Sequence, residues 1–228
     1  MLSEYEWQAV LLSLKVSSLA VVCSLPLGIL MAWVLARGRF PGKSLLDSII
    51  HLPLVLPPVV IGYLLLVVMG RRGFIGQRLY EWFGFSFSFS WHGAVLASAV
   101  VAFPLMVRAI RQSLEAVDPK LELAARTLGA SPWRVFFTIT LPLSVPGVIA
   151  GVVLAFARSL GEFGATITFV SNIPGETRTI PLAMYTLIET PGAEGAAARL
   201  CVLAILLSLA ALLISDWLAK RSRIRLGG

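Results

Sequence analysis

The sequence predicts an all-α polytopic membrane protein, and three observations lead to that fold class. Apolar residues make up 57% of the 228 residues, and charged residues make up only 14%. The mean hydropathy is +0.86, which is too high for a soluble domain of this length. Apolar stretches long enough for a helix to cross a ~30 Å hydrocarbon core recur along the chain. Residues 1–228 are therefore predicted to form a single transmembrane domain.

The net charge of +7 at pH 7 would indicate a nucleic-acid partner in a soluble chain. In a membrane chain, basic residues instead concentrate in the loops that stay in the cytoplasm. We therefore expect membrane lipid around the chain and no nucleic acid. The N-terminus carries Glu4 and Glu6 and has no basic leader, so no cleaved signal peptide is predicted.

The apolar stretches predict five transmembrane helices, at roughly residues 10–36, 49–69, 93–110, 144–163 and 200–218. Because a proline inside a helix removes a backbone N–H donor, we expect kinks or breaks where prolines fall. These positions are Pro26, Pro53, Pro57, Pro58 and Pro104.

One further apolar stretch, residues 180–188, is too short to span the membrane. We expect a short helix or a re-entrant segment there. A sixth span through residues 169–188 stays open as the alternative.

The basic residues predict the orientation of the five spans, which leave the two termini on opposite sides of the membrane. Twelve basic residues lie on one side: Arg37, Arg39, Lys43, Arg108, Arg111, Lys120, Arg126, Arg134, Lys220, Arg221, Arg223 and Arg225. Five lie on the other side: Arg71, Arg72, Arg78, Arg178 and Arg199. The side with the larger number is expected to be the cytoplasm, so the N-terminus lies outside and the C-terminus inside.

The polar segment 118–142 lies between the third and fourth spans and carries two helix-start signals. Asp118 can cap a helix that begins at Pro119, because its carboxylate accepts hydrogen bonds from free backbone N–H groups. Ser131 and Pro132 repeat this signal. The segment is therefore predicted to form a compact helix-turn-helix on the cytoplasmic side.

The ends of these two helices can also be predicted. Gly129 suits the left-handed conformation that closes the first helix. Leu141 and Pro142 are expected to stop the second helix. The small side chains of Ala124 and Ala125 favour a docking surface over a solvated loop.

The spacing of these residues resembles the EAA…G…I-LP loop of ABC importer permeases. In that family the loop forms the coupling helices, which sit in a cleft of the cytoplasmic ATPase. The family glutamate normally stands directly before the two alanines, whereas here Leu123 has that place and Glu122 lies one residue earlier. The resemblance implies that the ATPase-coupling residues are Glu122, Ala124, Ala125, Arg126, Gly129, Ala130, Leu141 and Pro142.

The end of the fourth span and the connection after it carry polar groups near membrane depth. Arg158 and Glu162 lie four residues apart, and charges at that depth must pair or face water. They either neutralise each other to hold the helix end or border a substrate path. Neighbouring hydroxyl and amide donors suit an oxyanion better than a metal cation. The candidate path or gate residues are Arg158, Ser159, Glu162, Thr166, Thr168, Ser171 and Asn172.

Residues 158–185 resemble the GEFGA region shared by permeases for molybdate, tungstate and sulfate. The likeness covers residues 7 to about 219 and is greatest to the bacterial molybdate permeases. It implies the type I ABC importer permease fold, in the bacterial inner membrane with a periplasmic N-terminus. Molybdate is the expected cargo, and sulfate, thiosulfate and tungstate are the alternatives.

The same resemblance implies the partners. These are a second copy of the chain in a homodimer, two cytoplasmic ABC ATPase subunits and a periplasmic molybdate-binding protein. ATP and Mg would be bound by the ATPase, so no cofactor is expected in this chain.

Catalytic and metal-ligand motifs are missing from the sequence. It contains no Walker lysine motif, no GxSxG, no HExxH and no CxxC pair. No metal site is therefore predicted. An intramembrane enzyme, the second function class considered, would need a nucleophile and a base at recognisable spacing, and the sequence offers neither.

Overall fold

The computed structural model describes residues 3–225, apart from the side chains of residues 215, 216, 219, 220 and 222–225. Within this range the regular structure is helical, which confirms the predicted fold class. The helices are α1 (Glu4–Arg37), α2 (Lys43–Val55), α3 (Pro58–Met69), α4 (Gly76–Phe83), α5 (Trp91–Glu115), α6 (Pro119–Thr127), α7 (Pro132–Val135), a π-helical turn (Phe136–Thr140), α8 (Leu141–Leu160), α9 (Gly164–Val170), α10 (Ile180–Ile188) and α11 (Glu194–Arg225).

Four helical stretches of the described chain are long and apolar enough to cross a membrane. They are α1, α5, the continuous run Pro132–Leu160 and residues Glu194–Ile214 of α11. The helices α2 and α3 are bent by 114° relative to each other at a short break. They provide a fifth span if the pair is counted as one broken span. In the region of the alternative sixth span, α9 and α10 hold only 7 and 9 residues. The structure therefore fits five spans, and α10 is the short helix expected at residues 180–188.

The break between α2 and α3 lies at two of the predicted proline positions. Leu56 and Pro57 are extended, and Pro58 begins α3. Because neither proline has an N–H to donate, the chain cannot continue the ladder of α2 through them. The other prolines predicted to kink helices lie inside continuous helices, Pro26 in α1, Pro53 in α2 and Pro104 in α5.

The helix α5 is the centre of the fold and packs against both α1 and α8. Its buried face includes Ala94, Ala97, Met106, Ile110 and Leu114. Small residues in the N-terminal half and larger ones in the C-terminal half let neighbouring helices approach along the whole length of α5. The two core clusters that α5 joins hold α1, α8 and α9 together.

The contact between α3 and α9 depends on two glycines. A Cβ atom on Gly62 would lie 2.6 Å from the carbonyl oxygen of Ala165, and one on Gly164 would lie 2.8 Å from Pro58 Cβ. Both distances are shorter than van der Waals contact, so a larger residue would push the helices apart. The second half of the broken span is thereby held directly on α9.

The predicted caps of segment 118–142 are confirmed. The Asp118 carboxylate accepts a hydrogen bond from Lys120 N at 2.9 Å, and Ser131 Oγ accepts one from Arg134 N at 3.3 Å. Gly129 has φ +84°, the left-handed conformation predicted for it. Helices α6 and α7 therefore meet at a tight turn.

The prediction that Leu141 and Pro142 stop the second helix is wrong. The helix runs from Pro132 to Leu160 without a stop, because residues 136–140 form a π-helical turn. In this turn Leu141 N donates to the carbonyl of Phe136, five residues earlier. This wider spacing accommodates Pro142, which in a regular α-helix would clash with the carbonyl four residues before it.

Candidate functional site

Apolar side chains of α6 and of the turn after it are exposed. Leu121, Leu123 and Leu128 are 48%, 60% and 88% exposed, and no residue of α6 is buried. Leu121 and Leu128 are seven positions apart and share one side of the helix, whereas Leu123 lies on another side. Exposed apolar side chains of this kind are typical of a protein interface. The segment therefore offers a surface on which a partner can dock.

The coupling residues predicted from the sequence fall into three environments. Ala124, Arg126 and Gly129 are exposed, and Ala125 and Ala130 are half-buried at the edge of the exposed face. Leu141 and Pro142 are half-buried inside the long helix, away from the turn. Glu122 is half-buried, and its carboxylate contacts the end of α1 and the π-helical turn.

The Glu122 carboxylate joins three elements of the chain. Its Oε1 atom lies 2.9 Å from Arg37 Nη2 at the end of α1 and accepts a hydrogen bond from Thr140 Oγ1, also at 2.9 Å. The Arg37 guanidinium also donates to the carbonyl of Val117 at 3.2 Å. The predicted contact of Glu122 with an ATPase stays a prediction, and within this chain the carboxylate holds α6 against α1.

Aromatic rings make a second connection between α1 and the coupling segment. The Trp33 and Trp133 rings stack with centroids 5.8 Å apart, and Trp33 meets Phe136 edge-on at 5.5 Å. Contacts of this geometry contribute beyond the area that they bury. The last turns of α1 thus contact both halves of the helix-turn-helix.

The candidate path residues 158–166 gather around Glu162. Glu162 Oε2 lies 2.7 Å from Arg158 Nη1, which confirms that the two charges pair. The other oxygen, Oε1, accepts a hydrogen bond from Ala165 N at 2.7 Å and so caps α9. Thr166 Oγ1 donates to the carbonyl of Phe163. Ser159 is buried, and its hydroxyl has no hydrogen-bond partner among the described residues.

A second polar cluster forms around Asn172 in the loop between α9 and α10. Its amide nitrogen donates to Thr186 Oγ1 at 2.8 Å, and its oxygen accepts from Arg178 Nε at 2.7 Å. Ser171 has φ +64°, and its carbonyl accepts a hydrogen bond from the buried Thr177. Asn172 and Ser171 therefore hold the shape of this loop.

Few donors of this region remain available to an anion. The Thr166 and Thr168 hydroxyls donate to carbonyls of their own helix, and Asn172 is bonded within its loop. Arg158 has a 31% exposed side chain, while that of Glu162 is 1% exposed. Among the predicted path residues, Arg158 is thus the cationic group with exposed surface that an anion could reach.

Sequence reasoning missed Arg37, Thr140, Arg178 and Thr177. Arg37 was counted only as a basic residue at the end of a span, yet it pairs with Glu122, 85 positions later. No local pattern indicates such a distant partner. The only available signal was its position at a helix end that must lie near the cytoplasmic segment.

The helical fold with its exposed helix-turn-helix is that of a permease subunit of an ABC importer. The chain belongs to the family of binding-protein-dependent transport system inner membrane components, whose profile matches residues 24–224. It is thus a multi-pass protein of the inner membrane.

The chain is 75% identical over 226 residues to the molybdenum transport system permease protein ModB of Escherichia coli K12, which covers 99% of both chains. It is 71% identical over 222 residues to ModB of Haemophilus influenzae, covering 97% of both. It is 39% identical over 183 residues to the sulfate transport system permease protein CysT of Escherichia coli K12, covering 79% of this chain and 66% of CysT.

Solved ABC transporters contain chains of the same fold. A chain of the bacterial alginate transporter in complex with its alginate-bound periplasmic protein matches with a TM-score of 0.76 and 19% identity, over 96% of this chain and 80% of that one. A chain of the inward-facing methionine transporter MetNI matches with a TM-score of 0.69 and 15% identity, over 96% and 94%. The predicted type I importer permease fold is confirmed.

Proposed function

We propose that the chain is the permease subunit of an ATP-driven importer for molybdate. The observation that carries this proposal is the 75% identity to the Escherichia coli molybdenum permease over 99% of both chains. The matched region covers 99% of the chain and so includes the segment 158–185, where the cargo would be met on the outer side. Sulfate is the second candidate, favoured by the 39% identity to CysT, and tungstate is a third because it has the same shape and charge as molybdate.

In this proposal the energy comes from a separate ATPase that binds ATP and Mg. The exposed leucines of α6 and the turn supply apolar surface on which the ATPase would dock. Two copies of the permease enclose the path as a homodimer, and each carries one ATPase subunit. Support for a second copy comes from the five spans, which are too few to enclose a path alone, and from the preference of oligomers for twofold symmetry.

A periplasmic binding protein would deliver the anion to the outer face. This places the N-terminus in the periplasm and the C-terminus in the cytoplasm. The numbers of basic residues in the loops support this orientation. The side chains of Lys220, Arg223 and Arg225, which contribute to the inner count, lie outside the described residues.

At the path itself, Arg158 would meet the dianion while Glu162 keeps the guanidinium in place. Ser159, Thr166 and Thr168 lie beside or beyond this pair. Because Glu162 offsets the charge of Arg158, the guanidinium would bind an anion only weakly, which favours passage over tight binding.

The test is ATP-dependent uptake of labelled molybdate by the permease–ATPase complex in liposomes, with binding protein supplied outside. The expected result is uptake that resists a large excess of sulfate. Equal competition by sulfate would show that the cargo is the wider group of oxyanions and not molybdate specifically. Uptake without ATP would contradict the proposed coupling.

A further inference from the structure

We propose that Arg37 is a positioning residue, which joins the coupling segment to the first span through Glu122 and transmits the movement of that segment. The proposal rests on the proposed function, because it requires an ATPase docked on α6. It assigns a task to the end of α1, which contributes no residue to the docking face.

The ion pair is well placed for this task. Arg37 Nη2 reaches both Glu122 Oε1, at 2.9 Å, and the carbonyl of Val117, at 3.2 Å. One guanidinium therefore connects α1 to α6 and to the turn between α5 and α6. The side chains of Arg37 and Glu122 are only 23% and 14% exposed, so water and salt screen the pair less than a surface ion pair.

The aromatic contacts add a second point of attachment on the same helix face. Trp33 and Arg37 are four residues apart, so they lie one above the other on α1. Trp33 contacts Trp133 and Phe136, while Arg37 contacts Glu122. A shift of α6 and α7 must therefore move α1 or break these contacts.

The helix α1 can carry such a shift to the other side of the membrane. It is one continuous helix of 34 residues, about 50 Å long. Near its outer end, Glu6 lies 2.9 Å from Arg199 of α11, and Ser13 Oγ accepts a hydrogen bond from Ile180 N of α10. A movement at Arg37 would thus reach the elements that follow the path residues.

The test compares Arg37→Gln with Arg39→Gln, a matched change at an exposed arginine two residues later. ATP hydrolysis and anion uptake are measured in the same liposomes, and the ATPase that copurifies with the permease is quantified. For R37Q we expect normal assembly and at least about a fivefold rise in ATP consumed per anion, the lower range of allosteric coupling. R39Q should match wild type.

A rescue separates positioning from docking. Arg37→Lys keeps a positive charge beside Glu122 and should recover most of the coupling. Glu122→Gln should uncouple in the same way as R37Q while the affinity for the ATPase stays unchanged, because this carboxylate is only 14% exposed and is bonded within the chain to Arg37 and Thr140.

Two results would overturn the proposal. One is an R37Q complex as tightly coupled as wild type. The other is a loss of ATPase affinity in E122Q, which would make Glu122 a docking residue. If R37Q does not assemble, the isosteric E122Q carries the test alone, and wild-type coupling in E122Q rejects the proposal.

A failure of the proposed function looks different in the same assay. In that case the wild-type complex itself takes up no molybdate with ATP. The ATP consumed per anion by R37Q can then be measured with whichever anion the wild-type complex transports.

Discussion

Two polar regions of this chain are built in opposite ways. In the coupling segment 118–142, the helix α6 buries no residue and exposes its leucines. In the segment 158–185, proposed to lie on the outer side, Glu162, Thr166, Phe169 and Thr177 are buried, and most of the polar groups bond to one another or to the backbone.

The difference shows how each region keeps its shape. The outer segment holds a fixed conformation through its own hydrogen bonds and buried packing. The coupling segment is fixed by its caps, the bonds of Glu122 to Arg37 and Thr140 and the contacts of Trp33, while the leucines of α6 stay exposed. Loss of an internal hydrogen bond or ion pair should therefore destabilise the outer segment. Loss of a surface side chain of the coupling segment should affect only the binding of its partners.

The largest effect is expected from Glu162→Gln in the outer segment. This change removes the charge that pairs with Arg158 in a site where Glu162 is 1% exposed. Breaking a buried ion pair from one side costs about 3 kcal/mol of unfolding free energy. Thermal unfolding in detergent measures the loss.

The control for this change is Glu115→Gln, which breaks a second pair of the same i,i+4 spacing, with Arg111 at 2.8 Å. That pair is exposed, so its loss should cost less than about 0.5 kcal/mol. Equal stability of E162Q and E115Q would show that the outer segment does not depend on its internal ion pair.

A smaller effect is expected from Leu128→Glu in the coupling segment. Because Leu128 is 88% exposed, the stability of the permease should not change. The affinity for the ATPase should fall by about 2 kcal/mol, the size of an interface hot spot. Copurification of the ATPase at a series of concentrations measures the affinity.

The matched control is Phe83→Glu, at an exposed aromatic residue of α4 on the side assigned to the periplasm. It should leave ATPase affinity as in wild type. If L128E binds the ATPase normally, the exposed leucines are not the docking face.

The smallest effect is expected from Gly129→Ala, at the turn between α6 and α7. A Cβ fits sterically, but φ +84° is costly for any residue other than glycine, by about 1 kcal/mol. Gly42→Ala is the control, since Gly42 has φ +88° and equally open space at the start of α2. Both should lose similar stability, and only G129A should reduce uptake per ATP. Equal uptake in both would remove the turn from the coupling mechanism.

Local signals predicted a large part of this structure. The caps at Asp118 and Ser131, the turn at Gly129 and the break at Pro57 follow from side-chain and backbone preferences of a few neighbouring residues. The five spans follow from hydropathy, and α10 was expected at its observed position. Each of these features is decided within a few residues of sequence.

Features that depend on distant parts of the chain were not predicted. The partner of Glu122 is 85 positions away, and the role of Asn172 depends on Arg178 and Thr186 across a loop. The continuation of the helix through Pro142 was missed because the π-helical turn before it has no simple sequence pattern. The α9 helix was missed because its cap, Glu162, was interpreted only as a charge.

The π-helical turn also lets the long helix hold one additional residue without changing the direction in which its two ends face. Each residue of an α-helix advances the side chains by about 100°, but a π-helical turn holds one residue more than an α-helical turn. Because the extra residue is taken up within a single turn, Trp133 and α8 keep nearly the relative rotation of an unbroken α-helix. Removal of one residue from 136–140 would therefore leave the direction of the helix-turn-helix nearly unchanged, and would instead set Pro142 against the carbonyl four residues before it.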